Sequence, residues 1–360
     1  MSTFSLLKTN PQNFTPLTRT PWAGQEISRI KKTYLCRDIP ERVGESWEIS
    51  TNIDFPSSVL LEKTETSLQE IIASNPTAIL GTQFAASLGS HSPVLLKWIE
   101  ANSPLSVQVH PNHSHHALKH NECGKPEAWF IIAAEPNAHI FVGFKEGLSQ
   151  KDIEDALCSD NVDRVLHRIT PTANQFIAIP PGCVHALGEG VLVAEPQVVL
   201  PQKSGKTWRI SDWKRSYNAQ GIEDSAGQPR ELHTSLALSA INWNLPRGKK
   251  LEDHLIRHLK PFHAFYGDNV HVFGAQLYTK SGNWQHTQIH TNTFQVVTMW
   301  SGKASLRISN SNEEISLTGG ESAFISASAR CIDLNLQISH NQEPALAFFS
   351  LNPESTAWHF

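Results

Sequence analysis

Along this chain the apolar positions fall mostly in short runs closed by Gly, Pro, Asn or Ser: VLLKWI at 94–99, PLSVQVH at 104–110, AWFIIAA at 128–134, AHIFVGF at 138–144, QFIAIPPG at 175–182 and VLVAEP at 191–196. Runs of this length, rich in β-branched and aromatic residues, predict strands. From about residue 262 the same style repeats in HVFGAQLYTK, TFQVVTMWSGKASLRISN, EEISLTGGESAFISA and EPALAFFSL. Helical spacing is rarer. Residues 66–80 predict a helix broken near Pro76, and 149–169 predict two short amphipathic helices opened by a Ser cap. The charged stretch GKKLEDHLIRHLK at 248–260 predicts a helical connector. The expected division is therefore 1–247, with a helical insertion near 145–170, and a smaller β domain at 248–360.

One strand carries candidate chemistry. In an extended segment alternate residues share a face, so Ser106, Gln108 and His110 point one way while Leu105, Val107 and Val109 point the other. A second strand opening at Glu127 and a third reached through PPGCVHAL at 180–187 add a carboxylate and the His185 imidazole. A Gln/His/Glu/His set without thiolate suits zinc, manganese or iron.

Composition narrows the partners. The 360 residues are 39% hydrophobic, enough for buried cores, and the formal charge of −4 without a long basic run points away from nucleic acid and toward a small molecule. Five scattered cysteines, Cys36, Cys123, Cys158, Cys183 and Cys331, show no CxxC spacing and indicate reduced thiols. The opening MSTFSLLKTNPQ lacks a basic segment followed by an apolar run, and no stretch is long enough to span a bilayer, so a cytoplasmic, membrane-free setting is expected.

Strands at this spacing fit a sandwich or jelly roll. Pro180, Gly182 and His185 resemble the second motif of the cupin superfamily, QVH at 108–110 stands where many cupins have HxH, and WSGKASLRIS with LTGGESAFISAS resembles a cupin repeat without histidines. The implied fold is all-β: two cupin-type jelly-roll barrels, the second without metal, plus a small helical insertion. In order, PWAGQEISRIKK, GESWEIS, LLKWIEANSPLSVQVHPN, GKPEAWFIIAA, the 145–169 region, IPPGCVHALGEGVLVAEPQ and TWRISDW resemble the type I phosphomannose isomerases in their short bacterial form.

That resemblance implies a zinc-dependent isomerase acting on a sugar phosphate as a monomer. By it Gln108, His110, Glu127 and His185 match the zinc ligands, and Arg209 matches the active-site arginine. Lys125 matches the lysine before the ligand glutamate, Lys97 and Ser106 the phosphate contacts, and Glu195 an acidic residue beside the sugar. Two departures stand out. Thr51-Asn52-Ile53 replaces a His that the family carries after GESWEIS, and the 196–208 loop is longer and more basic, offering Lys203 or Lys206 to the pocket mouth.

An aldose-ketose interconversion moves a proton between C2 and C1, so it needs a base, with Glu195 and Lys125 as rivals, and a stabiliser of oxygen charge. Lys125 beside a metal is expected to lose proton affinity through burial and repulsion. Other roles are structural: His113, His115, His116 and His120 as a solvated helix, Trp47, Trp98, Trp129 and Trp208 as core or pocket wall, and Glu45 and Glu48 as hydrogen-bonding groups. The alternatives to an isomerase are a cupin metal oxygenase and a sugar-phosphate binder with no or altered turnover.

Overall fold

In the computed structural model, which describes residues 5–61, 64–159 and 161–355, the strand-type runs pair into two pairs of facing sheets. The first pair holds a six-stranded sheet in the order Ile256–His258, Gln175–Ile179, Glu127–Ala134, Val191–Val198, Val94–Ala101 and Glu45–Ile49. Facing it is a five-stranded sheet of Leu166–Ile169, Ile140–Phe144, His185–Leu187, Val107–Val109 and Trp208–Ser211. Ile99, Trp129, Ile131, Ile140, Val142, Ile177, Leu187 and Val193 pack into one core cluster of this pair. The second pair sets Leu6–Lys8, Glu321–Ile325, Gln295–Ser301, Ala345–Leu351, Phe273–Tyr278 and Ala264–Phe265 against Gly282–Thr287, Cys331–Gln337, Lys303–Ile308 and Glu314–Thr318. This is the all-β, cupin-type architecture expected from the sequence.

The two six-stranded sheets also pack on each other. Trp98, Phe130 and Phe176 share a cluster with Phe273, Val296, Phe324 and Phe349. Val94–Ala101 and Val191–Val198 are consequently buried along their whole length. Burial on both faces explains why these segments read as near-continuous apolar runs, and why a Lys or Glu within them requires a polar cavity. Two segments cross between the halves: Leu6–Lys8 pairs with Glu321–Ile325, and Ile256–His258 pairs with Gln175–Ile179.

The helices depart from expectation in instructive ways. The 66–80 segment forms Leu68–Ser74 and Pro76–Leu80, the first closed by a reciprocal Ser67–Glu70 cap, and an unanticipated helix Thr82–Leu88 follows. At 149–169 only the first expected helix forms, Gln150–Leu157 with Ser149 as its cap. The second is replaced by a single 3-10 turn, Val162–Arg164, and the strand Leu166–Ile169, which pairs with Ile140–Phe144. Four residues cannot distinguish the two periods, and pairing with an open sheet edge decides the outcome. The 248–260 connector is helical only over Lys249–Leu255 before becoming the edge strand Ile256–His258. Residues 113–120 form turns rather than the expected helix, with His115 stacked on His116 at 4.5 Å and edge-on to Trp208 at 4.8 Å.

A buried polar cluster joins the halves. Lys31 Nζ donates to Glu48 Oε1 at 2.7 Å, Pro11 O at 2.9 Å and Gly320 O at 2.8 Å. Ser322 Oγ donates to Glu48 Oε2 at 2.9 Å, and Trp98 Nε1 to Thr298 Oγ1 at 2.9 Å. Glu48 thus has the structural role expected of it. Removing one partner of a fully buried pair leaves an uncompensated charge. Lys31→Met is expected to lower unfolding stability by about 3–5 kcal/mol, read from the urea midpoint. An unchanged midpoint would show that Glu48 does not depend on this ammonium.

Candidate metal centre and substrate cavity

Three strands bring their chemistry to one point. His110 follows Val107–Val109, Glu127 opens Glu127–Ala134, and His185 opens His185–Leu187 directly opposite Gln108 in the sheet. The turn before His185 depends on Gly182, at φ 81°, whose N–H donates to His110 O at 2.8 Å. A Cβ there would lie 2.7 Å from Asn242 N, so glycine is required on both counts.

His110 Nε2 lies 3.2 Å from Glu127 Oε2, and His185 Nε2 lies 3.4 Å from Glu127 Oε1. Each ring is oriented from behind: His110 Nδ1 is 3.0 Å from Lys206 O, and His185 Nδ1 is 2.9 Å from Cys183 O. These carbonyls accept from Nδ1–H, which turns both Nε2 lone pairs toward Glu127. Gln108 Nε2 stands 3.2 Å from His185 Nε2, and reversing the amide would present its oxygen instead.

The donor set fits a divalent ion. His110 Nε2 and Glu127 Oε1 are buried without a hydrogen bond, and one donor atom from each of His110, Glu127 and His185 lies within 4.8 Å of the others. Burial pushes His185 down to about 3 and lowers His110, so both rings are neutral. Burial raises Glu127, but the Lys125 ammonium outweighs it and holds the carboxyl well below its usual range. Two neutral nitrogens and an anionic oxygen match zinc-type coordination.

A cavity of about 420 Å³ adjoins this centre, lined by Lys97, Ser106, Gln108, Lys125, Glu195 and Arg209 among others. Gln197, which the sequence reading passed over, donates to Glu127 Oε2 at 3.0 Å and also to Glu195 Oε2, bridging the centre to the cavity. Its position two residues after Glu195 on one strand was the available signal. Trp129 Nε1 donates to Glu195 Oε1 at 3.0 Å. Burial, reinforced by Glu127, pushes Glu195 up to about 8.

Lys97 sits opposite Glu195 in the sheet, 3.2 Å from Glu45 Oε2 and 4.5 Å above the Trp47 ring. Glu45 also accepts from Trp47 Nε1 at 2.9 Å, so its hydrogen bonds form part of the cavity wall. Lys125 Nζ lies 3.0 Å from Glu127 Oε2. Burial draws Lys125 down, but Glu127, Glu195 and Glu45 together raise its ammonium above the ordinary value. Arg209 lies opposite Gln108 and donates to Glu231 O at 2.7 Å.

The departures also find their places. Asn52 lines the cavity, with its Oδ1 accepting from Asp54 N–H at 2.9 Å. Lys206 pairs with Glu122 at 3.1 Å instead of lining the cavity, while its carbonyl orients His110. Lys203 lines an adjoining hollow, and Ser204, Gly205 and Thr207 supply the loop's share of the main wall. Trp47 and Trp129 are cavity wall, whereas Trp98 and Trp208 are core. Among the described residues no helix is long and apolar enough to cross a membrane.

Residues 20–136 match the family model described as the phosphomannose isomerase type I catalytic domain. The chain is 32% identical over 231 residues to mannose-6-phosphate isomerase of Streptococcus mutans, covering 62% of this chain and 65% of that relative. It is 33% identical over 154 residues to a Bacillus subtilis mannose-6-phosphate isomerase, covering 42% and 45%. The chain thus spans less than two thirds of the length of these curated relatives. Among solved structures, the Bacillus subtilis mannose 6-phosphate isomerase superposes with TM-score 0.71 at 22% identity, covering 96% of this chain and 99% of that one. A variant of the Salmonella typhimurium phosphomannose isomerase gives 0.67 at 15%, covering 97% and 100%. These superpositions show a shared fold.

Proposed function

We propose that this chain is a type I phosphomannose isomerase, a metal-dependent enzyme interconverting mannose 6-phosphate and fructose 6-phosphate through an enediol. The observation that carries the reading is the convergence of His110, Glu127 and His185 beside a polar cavity holding Lys125, Glu195 and Arg209. Gln108, His110, Glu127 and His185 would hold one zinc ion, which when bound supplies a Lewis acid to polarise the sugar's C1 and C2 oxygens.

The chain's own groups divide the remaining work. Glu195, with Lys125 as its rival, takes the proton from C2 of the open-chain aldose; the C–H electrons form the C1=C2 bond as the C1=O π pair moves onto O1, which gains a proton. In the second half O2–H loses its proton, C2=O forms and the C1=C2 pair takes the proton at C1. Arg209 lends fixed positive charge to the developing enediolate oxygen. Lys97 and Ser106 hold the phosphate. Residues 1–247 would form most of the catalytic unit and 248–360 most of the metal-free one, with Leu6–Lys8 and Ile256–His258 exchanged between them. Five free cysteines fit a cytoplasmic enzyme, taken here as a monomer.

Asn52, in place of the His that the family resemblance implies, favours one second reading, a sugar-phosphate binder with no or altered turnover. A coupled assay for fructose 6-phosphate separates the two. The zinc-loaded chain is expected to turn mannose 6-phosphate over; binding without product would leave the second reading in place.

A further inference from the structure

The cavity has a second cation-bearing end. Arg230 lines it, yet lies in a loop remote in sequence from every strand of the centre. Its Nε donates to Asp212 Oδ2 at 2.7 Å and its Nη2 donates to Asp212 Oδ1. The guanidinium carbon stands 5.3 Å from the Trp22 ring centroid and 5.4 Å from that of Tyr217. A side chain held by two hydrogen bonds and two rings has little freedom left to lose on binding.

Charge at this end is not balanced. Asp212, 5% exposed, also accepts from Arg215 Nη2 at 2.9 Å, so one carboxylate serves two guanidiniums and a positive charge is left over. Lys97, by contrast, is matched by Glu45, and Lys125 by Glu127. Among the described residues Arg230 Nη1 has no hydrogen-bond partner. The Arg230 side chain is partly exposed, at 19%.

Position supplies the third argument. Trp213 Nε1 donates to Leu105 O at 2.7 Å and Arg215 Nη1 to Ser103 Oγ at 3.4 Å, which ties the Asp212 cluster to the Leu105–Ser106 end of the cavity. Ser106 lies two residues from Gln108 on the same strand face, about 7 Å from the metal-centre level. That separation is comparable with the reach of an extended hexose from its first two carbons to its terminal phosphate.

We infer that Arg230, preorganised by Asp212, Trp22 and Tyr217, is a phosphate-binding and specificity-determining residue, acting with Ser106 and Lys97 on the phosphomonoester of the substrate. This assignment rests on the isomerase reading above. A phosphomonoester carries about −1.5 to −2 charges at neutral pH, and the surplus guanidinium complements it.

The test compares wild type and Arg230→Met with mannose 6-phosphate and with unphosphorylated mannose, following isomerisation rates and calorimetric binding of mannose 6-phosphate. Circular dichroism monitors the fold. Arg230→Met is expected to lose about 10- to 100-fold in kcat/KM for the phosphorylated sugar, carried mainly by KM and by weaker binding, with mannose itself unaffected. Arg230→Gln keeps an amide donor for Asp212 and is expected to show the same loss should the Met variant not fold. A folded variant with wild-type affinity and preference for mannose 6-phosphate overturns the assignment while leaving the isomerase reading standing. A wild type that neither binds nor isomerises mannose 6-phosphate overturns both.

Discussion

Replacing His185 with Ala is expected to empty the metal centre and lower isomerase turnover by at least about 10³-fold, a loss of roughly 4 kcal/mol of transition-state stabilisation. Its ring is fully buried, its Nδ1 is oriented by Cys183 O, and its Nε2 is aimed at Glu127. No neighbouring His, Cys, Asp or Glu among the described residues replaces it in the group of donors around Glu127. Metal content measured alongside kcat checks the result. A variant that keeps one ion per chain and wild-type turnover would remove His185 from the centre.

Glu195→Gln is expected to lower kcat by about 10²- to 10⁴-fold, the usual contribution of a general base, while changing KM little. Gln preserves an oxygen acceptor for Trp129 but cannot take a proton. The pH profile adds a signature. As the proposed base Glu195 would act only when ionised, and its carboxyl is pushed up to about 8 by burial and then by Glu127. Turnover therefore rises as pH increases through that pKa and falls as pH drops below it. A cation bound beside Glu127 moves this limb to lower pH, because a nearby positive charge favours the carboxylate. In the Gln variant the limb is absent. If that variant keeps more than about a tenth of kcat, the proton transfer passes to Lys125, which Lys125→Met then tests.

Much of the centre was legible because its chemistry follows strand geometry. Gln108 and His110 share a face by alternation, and the glycine turn at 182 places His185 opposite Gln108, so local rules reach across three strands. The set of carboxylates around Lys125 was not legible. Glu45, Glu127 and Glu195 come from three different strands, and only the folded sheet shows that their combined charge outweighs burial. Arg230 was hidden for a similar reason: its place depends on Asp212, Trp22 and Tyr217, none adjacent to it in sequence. Among the elements, Leu166–Ile169 was misread as helix because its partner strand, rather than its own four residues, determines its conformation.

The central claim is that one ion held by Gln108, His110, Glu127 and His185 supports the interconversion of mannose 6-phosphate and fructose 6-phosphate. Titrating zinc into chelator-treated protein, with bound metal per chain and fructose 6-phosphate formation followed in the same samples, tests it most directly. Activity is expected to be absent at the start and to rise in proportion to bound zinc, levelling at one ion per chain. Full turnover in the chelated protein, or one bound zinc per chain with no turnover, would contradict the claim.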